Sequence, residues 1–449
     1  MPTVLFETLG CKLNQIETEA LAESFARAGF AVAGRESGEG APAGGRDPVV
    51  LSVVNTCTVT GKAEQKARGV IRSLLRAEPA APVLVTGCYA EVDAASLAAI
   101  DPRVVPFPGT RKGELADLAA FLADALADAA PSDASGTDVH RTLGALKSFA
   151  ARGKAGEGTS FRLSTDTFRF HSRASIKVQD GCDNHCAYCR IRLARGQSVS
   201  LDAAEVVARV RAIEDSGLAE IVLTGVNLSQ YRSGGDDIAR LIERLLKATS
   251  RVAFRVSSLY PERVDDALAP ILADARVRPH FHLSVQSGSD RVLERMRRPY
   301  RREAVLEAVN RLRAGARDPF IACDLIAGFP GEDEEDFRQT LELCQAVGFA
   351  GIHPFPFSPR PGTEAWGMRP RVSERVAGER VAALLALGAQ GHETYTRRWI
   401  GRPLAAVVER ADTVLTENYL SAHLDPPAQR PGSGIMVVLT APGQARQVP

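Results

Sequence analysis

The sequence predicts an α/β protein with three parts: an N-terminal doubly wound parallel sheet, a central partial (β/α)6 barrel and a small C-terminal β-barrel. Three observations predict it. Short β-rich runs alternate with helical ones over residues 1–130, and the alternation resumes on a larger scale over residues 161–395. Beyond residue 396 only short β-rich pieces remain. Strands alternating with helices make parallel sheets, because each crossover carries a helix back along the sheet. The 449-residue chain suffices for about three domains. Its 45% hydrophobic and 24% charged residues exclude a wholly disordered chain.

In the first part, Val4-Leu5-Phe6 leads to Cys11 and a helix over Glu17–Ala28. Val49–Val54 leads to Cys57 and a helix over Lys62–Arg76, and Val83–Val85 leads to Cys88 and a helix from about Val92. Each cysteine therefore sits just past the end of a predicted strand, at the edge where parallel sheets bind ligands. Convergence on a common ligand is one reading, and three buried structural cysteines the other. Gly34–Pro48 reads as a surface loop, Leu115–Ala130 as an amphipathic helix, and residues 131–160 as a flexible linker with a short helical turn near Leu143–Leu146.

In the second part the strands are Ala174–Val178, Glu220–Leu223, Val252–Val256, Phe281–Val285, Ile321–Ile326 and Gly351–Pro354. The helices are Ala203–Ser216, Asp237–Lys247, Arg263–Ala273, Glu303–Ala314, Glu335–Val347 and Glu374–Ala389. Six units are too few for a closed eightfold barrel, so an open one is expected, with its site at the carboxyl ends of the strands. Leu404–Val408 and Ile435–Leu439 belong to the C-terminal barrel, residues 396–449.

The net charge of +1 gives no bulk argument for a nucleic-acid partner, although Arg291–Arg317 holds nine arginines against three glutamates. An RNA groove and a solvated helix face both explain that run. Met1–Glu7 has no basic leader, and no stretch of about 18 uncharged apolar residues exists. A cytoplasmic protein with reduced thiols and no membrane segment is expected. Eight cysteines are too sparse for a disulfide scaffold. They fall as Cys11, Cys57 and Cys88, then Cys182, Cys186 and Cys189, with Cys323 and Cys344 left over as small core hydrophobes.

Cys182-x3-Cys186-x2-Cys189 follows the first barrel strand directly. A cubane iron–sulfur cluster offers four irons to terminal thiolates, so three cysteines leave one iron open for chemistry. Zinc held by the three cysteines and His185 is the alternative.

With this spacing the chain resembles the radical S-adenosylmethionine methylthiotransferase family. The resemblance extends to Thr8–Gln15, Asn55–Thr60, Thr86–Ala90, Leu223–Asn227, Gln286–Asp290, Ile326–Glu332 and Pro354–Thr363. It implies two 4Fe–4S clusters, one on Cys11, Cys57 and Cys88 and the catalytic one on Cys182, Cys186 and Cys189. It further implies S-adenosyl-L-methionine as methyl donor and radical source, contacted by Thr224, Gly225, Asn227, Ser287, Gly328 and Pro330. Asn227 and its neighbours would lie near the methionine amino group, Ser287 near the ribose, and Gly328–Gly331 beneath the adenine. A TRAM-like RNA-binding barrel at the C-terminus, a tRNA anticodon stem-loop as substrate, an electron donor such as flavodoxin or ferredoxin, and a monomeric state complete the expectation.

The loop Cys11-Lys12-Leu13-Asn14-Gln15 resembles the branch acting on threonylcarbamoyl-adenosine. The isopentenyl-adenosine and ribosomal-aspartate branches, and an inactive iron–sulfur or zinc RNA-binding protein, are the competing readings. The chain departs from the family pattern at Arg190–Leu193, where two isoleucines and a proline are usual, and at the neutral Gln197–Leu201. It departs again at Tyr260, where glutamate is usual, and at Ser284, where proline is usual.

Overall fold

The computed structural model describes residues 1–34, 48–127, 137–152, 159–427 and 430–448. They form two compact units: Met1–Phe170 with Arg190–Gln197, and His171–Cys189 with Ser198–Pro449.

The first unit runs β1 (Thr3–Thr8), α1 (Lys12–Arg27), β2 (Ala31–Gly34), β3 (Val49–Thr56), α2 (Gly61–Ala77), β4 (Val83–Gly87), α3 (Cys88–Val92), α4 (Ala94–Ala98) and β5 (Val104–Pro106). All five strands are parallel, in the order β2-β1-β3-β4-β5. The strand order therefore reverses between β1 and β3, the switch point at which open sheets of this kind bind ligands. Apolar residues cover both faces: Phe6, Phe25, Leu51 and Phe107 on one, Val54, Ile71, Val85 and Leu97 on the other.

A 3₁₀ segment, Gly109–Asp117, precedes α5 (Leu118–Ala127), so the expected helix from Leu115 starts later, and residues 128–130 lie outside the described residues. Most of the expected loop, residues 35–47, also lies outside them. The expected linker is corrected by α6 (Thr137–Ala151), a helix of 15 residues. Leu143, Leu146 and Phe149 recur at helical spacing and join the unit's core, with Leu146 buried. The Phe149 ring lies 5.4 Å from that of Phe121 and 6.0 Å from that of Phe107. A lean Ala-rich composition concealed one apolar stripe. Residues 131–136 and 153–158 of the expected linker lie outside the described residues. The segment Arg190–Gln197 adds α7 (Ile191–Arg195), packed on α3 and the 3₁₀ segment.

The second unit opens with β6 (Ala174–Lys177) and the antiparallel pair β7 (Gln179–Asp180) and β8 (Val199–Ser200). It continues α8 (Ala203–Asp215), β9 (Glu220–Thr224), α9 (Ile238–Ala248), β10 (Ala253–Val256), α10 (Ala269–Leu272), β11 (His280–Gln286), α11 (Asp290–Arg295), α12 (Arg302–Gly315), β12 (Phe320–Ala327), α13 (Glu334–Val347), β13 (Gly351–Pro356) and α14 (Glu374–Trp399). Parallel sheets β6-β9-β10 and β11-β12-β13 are joined by the parallel bridges Phe254↔Val277 and Leu259↔Leu283. Among the described residues β13 does not pair with β6, so the six strands make an open barrel wall.

All six expected strands are present. The expected helix Arg263–Ala273 is not: the chain there makes a 3₁₀ turn at Pro261–Arg263 and the four-residue α10. Asp265 draws the backbone into a local turn by accepting from the amides of Ala267 and Leu268, an alternative that competes with helix. The final helix runs ten residues beyond the expected Ala389, to Trp399. Its Gly391 lies against the Phe349 carbonyl, where any side chain would collide, and Gly388 packs tightly on Ile352.

Five strands, β14 (Pro403–Arg410), β15 (Thr413–Thr416), β16 (Ser421–Leu424), β17 (Gly434–Ala441) and β18 (Gln444–Val448), close the C-terminal barrel. It is fastened to the larger barrel through Glu220, which is buried and paired with Arg255 (2.8 Å) and Arg278 (3.0 Å). Arg255 donates onward to the carbonyls of Thr416 (3.3 Å) and Glu417 (3.2 Å). Tyr419 stacks on His280 at 3.8 Å. No helix among the described residues is long and apolar enough to cross a membrane.

Candidate iron–sulfur and S-adenosylmethionine sites

Three adjacent strands of the first unit deliver Cys11, Cys57 and Cys88 to one edge. Cys57 follows β3 directly, Cys88 opens α3 immediately after β4, and Cys11 caps α1. Register sets Thr8 beside Asn55 and Thr56 beside Gly87, so the three strand ends are level. Buried asparagines lash the loops together. Asn14 Nδ2 donates to the carbonyls of Leu9 (2.9 Å) and Thr56 (3.0 Å), and Asn55 Nδ2 donates to the Asn14 carbonyl (3.0 Å).

Two cations reach this edge. Arg195 donates to Asn14 Oδ1 at 2.8 Å and pairs with the buried Glu17 at 3.3 Å, while Lys112 pairs with the same carboxylate at 2.5 Å. Burial pushes the Cys57 thiol up to about 12, with Cys88 and Cys11 adding to the rise and Arg195 opposing it. Burial also raises Cys88, against Arg195 and Lys112. Thiolates are what iron binds. A sheet edge carrying two buried thiols and the exposed Cys11, with cations that favour thiol ionisation, fits an anionic metal–sulfur group.

The second triad sits in a loop pinned on every side. Gly181 turns it at φ 70°, and the Cys189 amide donates to the Cys186 carbonyl (3.1 Å). Gln179 Nε2 donates to the carbonyls of Asp180 (3.0 Å) and Gly181 (2.8 Å) and to Ser198 Oγ (2.9 Å), and its Oε1 accepts from the Asn227 amide (2.8 Å). From below, the Phe329 ring packs edge-on to Tyr188. Asn227 Nδ2 stands 3.9 Å from Cys182 Sγ, and Arg298 Nη1 3.3 Å from Cys186 Sγ. His185, required by the zinc alternative, is exposed. Among the described residues no three His, Cys, Asp or Glu side chains are gathered to hold a single metal ion. Cys323 and Cys344 lie together in the core.

Comparison with known proteins finds two family models in the chain. A model described as "Radical SAM superfamily" matches residues 176–344, and one described as "Uncharacterized protein family UPF0004" matches residues 3–108. The threonylcarbamoyladenosine tRNA methylthiotransferase MtaB of Treponema pallidum is 48% identical over 94% of this chain and 94% of its own. The chain belongs to the radical S-adenosylmethionine methylthiotransferases. The Aquifex aeolicus protein of the same name is 34% identical, covering 93% of this chain and 95% of its own. The tRNA-2-methylthio-N(6)-dimethylallyladenosine synthase of Cereibacter sphaeroides is 30% identical, covering 98% and 96%. Among solved structures, the radical S-adenosylmethionine methyltransferase TsrM of Kitasatospora setae shares the fold, with TM-score 0.52, 16% identity and coverage of 81% and 77%.

In this methylthiotransferase the expected cofactor contacts fall at successive strand ends. Thr224 closes β9, and a side chain on Gly225 would meet Gln179 Oε1 and Leu228 at 2.9 Å. Ser287 follows β11, but its hydroxyl already accepts from the Ser289 amide (3.2 Å) and faces Thr340. Gly328, at φ 78°, abuts Ala377, and the Pro330 carbonyl accepts from Arg295 (3.1 Å). That turn is anchored by the buried Glu332, which accepts from the Gly328 amide and pairs with Arg380 at 2.8 Å. Buried polar atoms without a partner remain at Ser229 Oγ, Ser257 Oγ and Glu262 Oε2, the kind of donors and acceptors a polar cofactor satisfies.

Sequence reasoning missed Gln179, Arg195 and Arg298. Only position relative to the cysteine loop could have flagged the first two. For Arg298 the signal was present but diluted among nine arginines. Of the nine only Arg298 is buried; several others make ion pairs at the surface, Arg291 with Asp333, Arg297 with Glu364 and Arg311 with Asp266.

Proposed function

We propose that this chain is a tRNA methylthiotransferase that converts threonylcarbamoyl-adenosine, next to the anticodon, into its 2-methylthio derivative. Its cofactors are two 4Fe–4S clusters and S-adenosyl-L-methionine, which together supply an adenosyl radical and a methylated sulfur when bound. The observation carrying the reading is the pair of separately built thiol triads in a chain 48% identical to a protein of that name. Cys182, Cys186 and Cys189 would hold the radical-generating cluster, and Cys11, Cys57 and Cys88 the other. Thr224, Gly225, Asn227, Ser287, Gly328 and Pro330 would line the S-adenosylmethionine site.

The chain's own work is placement. Gln179 ties the cysteine loop to Asn227, so sulfur ligand and cofactor contact share one hydrogen-bonded frame. Arg195 and Lys112 balance negative charge at the first triad. The tRNA anticodon stem-loop is the substrate, a flavodoxin or ferredoxin the electron source, and a monomer in the cytoplasm the working form.

Nucleoside mass spectrometry of tRNA from a deletion strain tests this. Loss of 2-methylthio-threonylcarbamoyl-adenosine, restored by the wild-type chain but not by Cys57→Ala or Cys182→Ala, is expected. An undiminished signal, or loss confined to the isopentenyl nucleoside, overturns it.

A further inference from the structure

Arg298 is buried, 8% exposed, in a cage of aromatic and carbonyl groups. Nε donates to Tyr300 Oη (3.0 Å), Nη2 to the Ser284 carbonyl (3.1 Å), and Nη1 to both Tyr260 Oη (3.2 Å) and Cys186 Sγ (3.3 Å). The guanidinium lies 4.4 Å from the Tyr260 ring centroid and 4.9 Å from that of Tyr300. Among the described residues no carboxylate pairs with it. Glu262 senses its charge without touching it, and burial raises the pKa of that carboxyl. A buried cation without a counter-charge is costly. The one sulfur this guanidinium touches is that of Cys186, which as a cluster ligand would bring negative charge to it. Two of the four departures from the family pattern, Tyr260 and Ser284, meet at this guanidinium and supply neutral contacts to it.

We propose that Arg298 is a positioning residue that raises the reduction potential of the radical-generating cluster, through its hydrogen bond to Cys186 and its uncompensated charge. This rests on the assignment of Cys182, Cys186 and Cys189 as ligands. Reduction adds one negative charge to the cluster, and a fixed cation at hydrogen-bond distance in a water-poor site favours that added charge. Hydrogen bonds to cluster sulfurs act in the same direction. A carboxylate at position 260 would pair with Arg298 and cancel the effect. The tyrosine ring holds the guanidinium in place without neutralising it.

The test is an EPR-monitored redox titration of the reconstituted full chain, following the signal that S-adenosylmethionine perturbs. Arg298→Met is expected to lower the reduced-to-oxidised ratio at fixed ambient potential by at least about tenfold, a shift of about 59 mV for one electron. Arg298→Lys should recover part of it. Tyr260→Glu should shift the potential the same way with full iron content, whereas Tyr260→Phe should leave it in place. The Tyr260 pair decides the matter if Arg298→Met loses its cluster. Unchanged potential in Tyr260→Glu overturns the inference alone. A perturbable signal that survives Cys186→Ala overturns the ligand assignment, and the inference with it.

Discussion

Arg195 Nη1 stands 3.3 Å from Glu17 Oε1, with the two side chains only 2% and 0% exposed. Lys112 shares that carboxylate, so two cations and one anion are buried beside Cys57 and Cys88. Both cations favour the ionised form of Cys88, which suits a bound anionic cluster. Arg195→Met should therefore lower iron after anaerobic reconstitution from about eight per chain toward about four, with the loss confined to the first triad. Iron and sulfide assay, with S-adenosylmethionine cleavage retained, checks the expectation.

Gly87 gives the same triad a backbone test. It adopts φ 93°, and a Cβ there would stand 2.4 Å from the Thr56 carbonyl oxygen and 2.5 Å from Asn55 Oδ1. Both a disfavoured conformation and a clash with the strand carrying Cys57 follow from Gly87→Ala. The variant should lose the first cluster and unfold at lower temperature by calorimetry. Gly217→Ala, also at positive φ but with no atom within 4 Å, should cost stability alone.

Glu220 predicts a pH dependence. Burial pushes its carboxyl up, but Arg255, Arg278 and Arg173 overcome that and hold it at about 2, against an ordinary 4.5. A depressed carboxyl contributes its stabilisation in full above about pH 4.5 and loses it as the pH falls toward 2. That contribution is roughly 3 kcal/mol for a fully buried group. Glu220→Gln should lower the denaturant midpoint strongly at pH 7, and the gap to wild type should narrow by pH 3. Because Arg255 also holds the C-terminal barrel, limited proteolysis of the variant should release that barrel sooner.

What was legible from sequence had a local cause. β-rich runs such as Val83–Val85 and Ile321–Ile326 announced their strands, and a cysteine after each of β1, β3 and β4 marked one edge of the sheet. The misses arose where tertiary context outweighs local pattern. The α6 stripe becomes meaningful only against Phe107 and Phe121, and Asp265 breaks a helix through one side-chain hydrogen bond. Arg298 is indistinguishable from Arg297 in sequence, yet one is caged against Cys186 and the other pairs with Glu364 at the surface.

Gln179 is the corresponding keystone of the second triad. One buried amide satisfies the carbonyls of Asp180 and Gly181, the hydroxyl of Ser198 and the amide of Asn227. Gln179→Leu keeps the volume and removes all four partners. It leaves buried polar groups unpaired at about 1–3 kcal/mol each, with nothing fixing the loop that carries Cys182. Gln179→Glu keeps the acceptor for Asn227 and loses the donors, separating cofactor contact from loop anchoring. The expected result is a strong loss of 5′-deoxyadenosine formation in Gln179→Leu, with an intermediate loss in Gln179→Glu. Iron at the first triad should stay at about four per chain in both, because Cys11, Cys57 and Cys88 belong to the other unit. Product assay by mass spectrometry alongside iron content checks it, and equal loss of both clusters would show a general folding defect instead.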